Sequence, residues 1–181
     1  KVIKLIEDSI ITESVTRKVP VKDGCFAVEG SGLNKLAVVE RHKKSGNIGL
    51  GILEGYGVKG GAVALTVAHD SHNIIAAGDN DQDIITAIRE LEICGGGITL
   101  SAGGKIIYTL PLPVAGLLSD KSAEEFSQAY SKIAKLASGM GVNKNIEPFM
   151  SLSFLSLAVL PHLKVTDKGL FDVDKFQFTS H

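Results

Sequence analysis

Residues Ala62–Asn73 read AVALTVAHDSHN, and this stretch constrains the fold more than any other. Its first part has the length and the Val, Leu and Thr content of a buried strand. Its second part is an unbroken polar cluster: His69, Asp70, Ser71, His72 and Asn73. Polar residues just past the end of a buried strand are well placed to line a site, because the sheet sets where they point. Arg41, His42 and Asn47 come shortly before this strand and complete the set of candidate site residues.

Around that strand the chain reads as an α+β, mixed α/β domain: a mixed β-sheet covered by about two main helices, with a small N-terminal β annex. Val2–Ile6, Ile10–Val15, Val19–Val21 and Cys25–Val28 are short β-prone runs. Pro20 and the turn Lys22-Asp23-Gly24 break them. Residues 1–32 are therefore expected to be a β-rich annex or linker from a preceding domain, and residues 33–181 the main domain. Leu36–Glu40 and Ile74–Ala77 are further strands. Asn80 opens a helix whose first turn carries Asp81 and Asp83, and Ile84, Ile88 and Leu91 repeat at helical spacing. Gly95-Gly96-Gly97 stops it, and Ile98–Ser101 and Lys105–Leu110 form a hairpin. Pro111–Asp120 reads as an apolar extended linker. Ser122-Ala123-Glu124-Glu125 is a capping box. Phe126, Tyr130, Ile133, Ala137 and Met140 then mark one face of an amphipathic helix, a core face. Pro148–Leu157 is expected to be a strand or a buried irregular segment. A turn follows at Asp167–Gly169.

The composition narrows the function classes. At 181 residues, 44% hydrophobic and 22% charged, the chain can bury a sizeable core. Its formal net charge is −1 and no Lys or Arg stripe is present, which argues against a nucleic-acid surface. No apolar run reaches the ~18 residues of a membrane span. Cys25 and Cys94 lie far apart and read as two reduced thiols of a cytoplasmic protein. The chain opens at Lys1 without an initiator Met, and the expectation is a piece of a longer polypeptide. Gly55-Tyr56-Gly57-Val58-Lys59-Gly60 fits G-x-G-x-x-G, but a strand rather than a helix follows it, so it is not read as a dinucleotide site.

The polar cluster supports more than one chemistry. Two imidazoles and a carboxylate, His69, His72 and Asp70, are the candidate catalytic residues, and His69 and His72 are weak candidate metal ligands. Asp70 could instead orient an imidazole for proton transfer. Arg41, His42, Asn47, Ser71 and Asn73 are candidates for contact with a substrate or an interface. The alternative is that Asp70, Ser71 and Asn73 only brace a loop by hydrogen bonds, but four polar side chains in succession at the end of a buried strand are otherwise costly to place, which favours a functional reading. His162 and His181 stand apart in sequence. There is no G-x-S-x-G elbow, no P-loop and no H-E-x-x-H, so no catalytic set is complete within the chain.

Four segments carry a resemblance: Glu40–Gly49 (ERHKKSGNIG), Val67–Ile74 (VAHDSHNI), Pro111–Leu117 (PLPVAGL) and Pro148–Leu155 (PFMSLSFL), continued through Thr166–Leu170 and Phe176. In this order they resemble the C-terminal domain of bacterial adenine deaminases, a branch of the amidohydrolase superfamily. That resemblance implies hydrolysis of adenine to hypoxanthine and ammonia, a step in purine metabolism. It implies divalent metal, manganese or iron, in a (β/α)8 barrel that precedes this domain in the same polypeptide. The H-x-H motif of such a barrel is absent here, and the ~250 residues of a barrel do not fit. The isolated chain is expected to be inactive and to cover or complete the barrel's site. The expected partners are that barrel, adenine as the parent enzyme's substrate, and further copies in a homo-oligomer, with neither nucleic acid nor membrane. A structural or oligomerisation module without catalytic role is the alternative.

Overall fold

The computed structural model describes residues 1–180; His181 lies outside the described residues. Eight strands form one mixed sheet. In chain order they are β1 (Val2–Leu5), β2 (Thr12–Val15), β5 (Leu33–Val39), β6 (Ile48–Glu54), β7 (Ala62–Leu65), β8 (Ile74–Gly78), β9 (Gly97–Ala102) and β10 (Lys105–Pro111). Their spatial order is β10-β9-β7-β8-β5-β6-β1-β2. All neighbours are antiparallel except β1 and β6, which run parallel. The strand AVAL is thus β7, buried at every position and flanked by β8 and β9. Such a strand cannot show the in–out alternation of a half-exposed one, which is why it reads as a continuous apolar run.

Helix α1 (Asp81–Cys94) covers one face. Ile84, Ala87 and Leu91 pack on Ala62, Ala64, Ile74 and Ala76. The Asn80 side chain accepts the Asp83 N–H at 2.9 Å, and Gly95 ends the helix at φ 80°. The opposite face holds the main core. There Val63, Leu65 and Ile75 meet α2 (Ala123–Gly139) through Ile133 and Ala137, and α3 (Pro148–Ser153) through Phe149 and Leu152. The capping box forms, with Ser122 and Glu125 exchanging bonds.

On the same face β11 (Leu163–Thr166) and β12 (Gly169–Asp172) make a hairpin that β13 (Gln177–Phe178) extends to three strands. The hairpin lies over β6 so closely that a Cβ on Gly49 would stand 1.7 Å from the Thr166 carbonyl oxygen. The glycines of β6 let two backbones touch.

One expectation changes and one gains detail. Pro148–Leu157 is neither a strand nor irregular: it is α3 followed by a 3-10 turn, Phe154–Ser156. Glu147 caps α3 by accepting the N–H groups of Phe149 and Met150, and Pro148 occupies the first helical position, where its missing N–H costs nothing. The segment expected to form a β annex divides. Strands β1 and β2 extend the main sheet, while β3 (Val21–Lys22) and β4 (Cys25–Phe26) form a separate two-stranded ribbon.

Candidate functional site

After β7 the chain runs through Thr66–Ala68 into a tight turn. His72 donates its N–H to the Ala68 carbonyl at 2.7 Å and sits at φ 51°. The turn therefore gathers the polar cluster on one end of the sheet rather than spreading it along an extended strand. The His69 and His72 rings lie 5.6 Å apart between centroids. Asp70 and Ser71 project into solvent, and Asn73 is buried at the start of β8.

Three sets of bonds immobilise the turn. Arg41 donates from Nε to the His72 carbonyl at 2.6 Å and from Nη2 to the Ala115 carbonyl at 2.8 Å. His42 Nε2 donates to the Ser71 carbonyl at 2.7 Å. From α3 and the 3-10 turn, the Ser153 carbonyl accepts the His69 N–H at 3.1 Å, and Ser156 Oγ donates to the His69 carbonyl at 2.7 Å. The Phe154 ring stacks on the His69 imidazole at 5.2 Å and 12°. Glu40 shapes the loop that carries Arg41 and His42. Its carboxylate accepts N–H groups from His42, Lys43 and Ser45, which holds its pKa down to about 2.

The family described as "Adenine deaminase C-terminal domain" matches residues 9–177. The chain belongs to that family. It is 57% identical to an adenine deaminase of Nitratidesulfovibrio vulgaris (strain DP4), over 99% of this chain and 32% of the relative's length. It is 52% identical to one from Clostridium acetobutylicum, over 98% of this chain and 31% of the relative. It is 45% identical to one from Bacillus subtilis (strain 168), over 99% and 31%. The chain thus spans about a third of the length of these curated relatives.

In this adenine deaminase C-terminal domain, five of the candidate residues form one unit with two braces. His69, Asp70, Ser71, His72 and Asn73 make the turn, and Arg41 and His42 hold it by its carbonyls. Asn47 does not join them: it donates from Nδ2 to Asp167 at 3.1 Å, at the β11–β12 turn. Ser153, Phe154 and Ser156 belong to the site although the sequence reading passed over them. The serines spaced by three within an apolar segment were the available signal.

The electrostatics favour a neutral imidazole at position 72. Desolvation lowers the His72 pKa, and the neighbouring His69 and Arg41 lower it further. Burial also lowers the Arg41 pKa. Three buried polar atoms, His72 Nδ1, Asn73 Oδ1 and Ser153 Oγ, have no hydrogen-bond partner among the described residues. The divalent metal implied by the resemblance does not fit these residues. Among the described residues no group of three or more His, Cys, Asp or Glu is placed to share an ion. Asp70 Oδ1 stands 3.9 Å from His69 Nδ1 on a side chain facing solvent. No helix of the described residues is long and apolar enough to cross a membrane.

Proposed function

We propose that this chain serves as the C-terminal domain of a cytoplasmic adenine deaminase, converting adenine and water to hypoxanthine and ammonia, and that it closes the mouth of a metal-binding (β/α)8 barrel in the same polypeptide. Manganese or iron belongs to that barrel, and the chain's own part is to bind and orient. The observation that carries this reading is the rigidity of the His69–Asn73 turn. The main-chain carbonyls of His69, Ser71 and His72 within it are tied down, so the side chains of His69, Asp70 and His72 are presented from a fixed platform. Preorganised polar groups of this kind suit a substrate mouth, where reorganisation during reaction is costly. A neutral His72 can donate or accept a hydrogen bond at near-neutral pH.

The test is ammonia release from adenine by the full-length polypeptide, with melting followed on the same samples. Asp70→Asn alters an exposed side chain and is expected to lower turnover about tenfold or more, one lost transition-state hydrogen bond, without changing melting, while His69→Ala, which also removes the imidazole stacked on Phe154, is expected to lower turnover per folded molecule by a similar factor. Unchanged turnover would remove the turn from the site.

A second reading has its own observation. Ile48 and Leu50 of β6 are both more than half exposed on the sheet face opposite the β11–β12 hairpin. Exposed apolar strand residues suit an oligomerisation surface, and in that reading the same substitutions change melting or assembly and leave turnover per folded site intact.

A further inference from the structure

A cleft of about 550 Å³ opens between β7, β9, α2, α3 and the segment after β10. Leu65, Val67, Ile98 and Phe149 line it from the sheet and α3, and Phe126 and Tyr130 from α2. Its margin is apolar and exposed: Met150 is 41% exposed, Leu118 63%, and Val114, beside it, 49%. Large apolar side chains grouped around an apolar cleft mark a surface that another surface covers.

The margin is rigid. Val114 and Leu118 form a bridge, each donating its N–H to the other's carbonyl at 3.1 Å. Within that bridge Ala115 sits at φ 59° and Gly116 at φ 73°. The Ala115 carbonyl accepts from Arg41 and the Gly116 carbonyl from Thr66 Oγ1. A non-glycine residue in the left-handed region persists where surrounding contacts over-determine it. The loop is therefore built to hold Val114 and Leu118 out of the core.

Arg41 joins this margin to the polar turn, because the same guanidinium binds the His72 carbonyl. Ser153 belongs to both, lining the cleft and holding the His69 N–H. The cleft and the turn are two halves of one rigid surface, one apolar and one polar.

We propose that this cleft seats a loop of the catalytic portion of the same polypeptide, which places an apolar side chain over Leu65 and Phe149 while the His69–Asn73 turn faces the substrate mouth. The inference rests on the reading of this chain as part of a longer deaminase. The relatives supply the occupant: about two thirds of their length lies outside the matched region.

Methionine oxidation tests it. Peroxide is applied to the 181-residue chain and to the full-length polypeptide, and the peptides bearing Met150 and Met140 are followed by mass spectrometry. Met140 packs against the core and serves as the internal reference. Met150 is expected to oxidise at least about tenfold more slowly in the full-length protein, while Met140 reacts equally in both. Equal Met150 rates would overturn the proposal. So would concentration-dependent protection of Met150 within the 181-residue chain, since the occupant would then be a second copy. Leu118→Asp alters an exposed side chain, so melting of the 181-residue chain is expected to stay unchanged. In the full-length protein it should raise Met150 oxidation toward the rate of the shorter chain, and continued protection would count against the cleft. Ammonia release measured on the same samples separates the two readings. Protected Met150 without deamination sinks the activity and leaves the docking; deamination with unprotected Met150 does the reverse.

Discussion

Arg41 closes three segments of chain on one guanidinium. It follows β5, binds the turn after β7 through the His72 carbonyl, and binds the Val114–Leu118 loop through the Ala115 carbonyl. Gly116 makes room for it. A Cβ there would lie 3.0 and 3.1 Å from the two terminal nitrogens of Arg41, at a φ of 73° that already disfavours a side chain. Arg41→Met is expected to lower stability by about 1–3 kcal/mol, the scale of bonds from a charged donor to main-chain carbonyls. Gly116→Ala should cost about 1–3 kcal/mol through backbone strain and crowding. The double variant should lose less than the sum, because each substitution alone already disturbs the other's contact. Urea unfolding of the four proteins measures this, and strict additivity would mean that Arg41 does not rest on Gly116. The same arginine also tunes His72. Burial is the larger cause of the lowered His72 pKa and the Arg41 charge a smaller one. Arg41→Met should move that pKa part of the way back toward the ordinary value, read from imidazole NMR titration.

At the scale of elements, β6 shows how one strand serves two unlike faces. Gly49 and Gly51 face the β11–β12 hairpin, while Ile48 and Leu50 face outward. A methyl group on Gly49 meets backbone, which has no rotamer with which to yield. Gly49→Ala is therefore expected to cost about 3 kcal/mol in urea unfolding, the upper range for overpacking. Gly139, at the end of α2, has nothing within 4 Å of a Cβ. Gly139→Ala should stabilise by about 0.5–1 kcal/mol through the unfolded chain. These elements also show what the amino-acid order could and could not reveal. Helices α1 and α2 were legible from their caps and periodicity, because Asn80, Ser122 and Glu125 act within a turn of their own helix. Helix α3 was not, because its serines break the apolar pattern and its cap is a glutamate before a proline. Strand existence was mostly legible, but the flanking of β7 by β8 and β9 depends on partners far away in sequence. The polar turn was legible as a cluster. The manner in which Arg41 and His42 serve it was not, since donation to main-chain carbonyls leaves no mark in the side-chain pattern. Asn47 was included for its nearness in sequence, yet β6 carries it to Asp167 at the hairpin.

At the scale of the whole molecule, the two ends of the chain lock together, and one buried lysine sits in the lock. Lys1 reaches Asp172 at 3.3 Å and Thr179 at 2.9 Å. Lys164, fully buried on β11, donates to Thr12 Oγ1 at 2.8 Å and to the Pro161 carbonyl at 3.0 Å. These partners are neutral, so desolvation dominates and lowers its pKa from 10.5 to about 8, the more distant Asp174 opposing. Below about pH 8 the lysine is charged in both folded and unfolded chains, and the folded state bears the full cost of the buried charge. Between about 8 and 10.5 the unfolded chain holds a proton that the folded chain has released, so unfolding takes up a proton and stability rises with pH. Tyrosines set the upper limit of that rise. Burial raises the pKa of Tyr56, and burial together with the bond to Glu147 raises that of Tyr130, so near pH 10 the unfolded chain begins to lose protons that the folded chain keeps. Stability then turns downward. Urea unfolding across alkaline pH should therefore show a maximum between the two regimes. Lys164→Met should abolish the rise above pH 8 and keep the fall near pH 10. A rise that survives in Lys164→Met would place the titrating group elsewhere in the molecule.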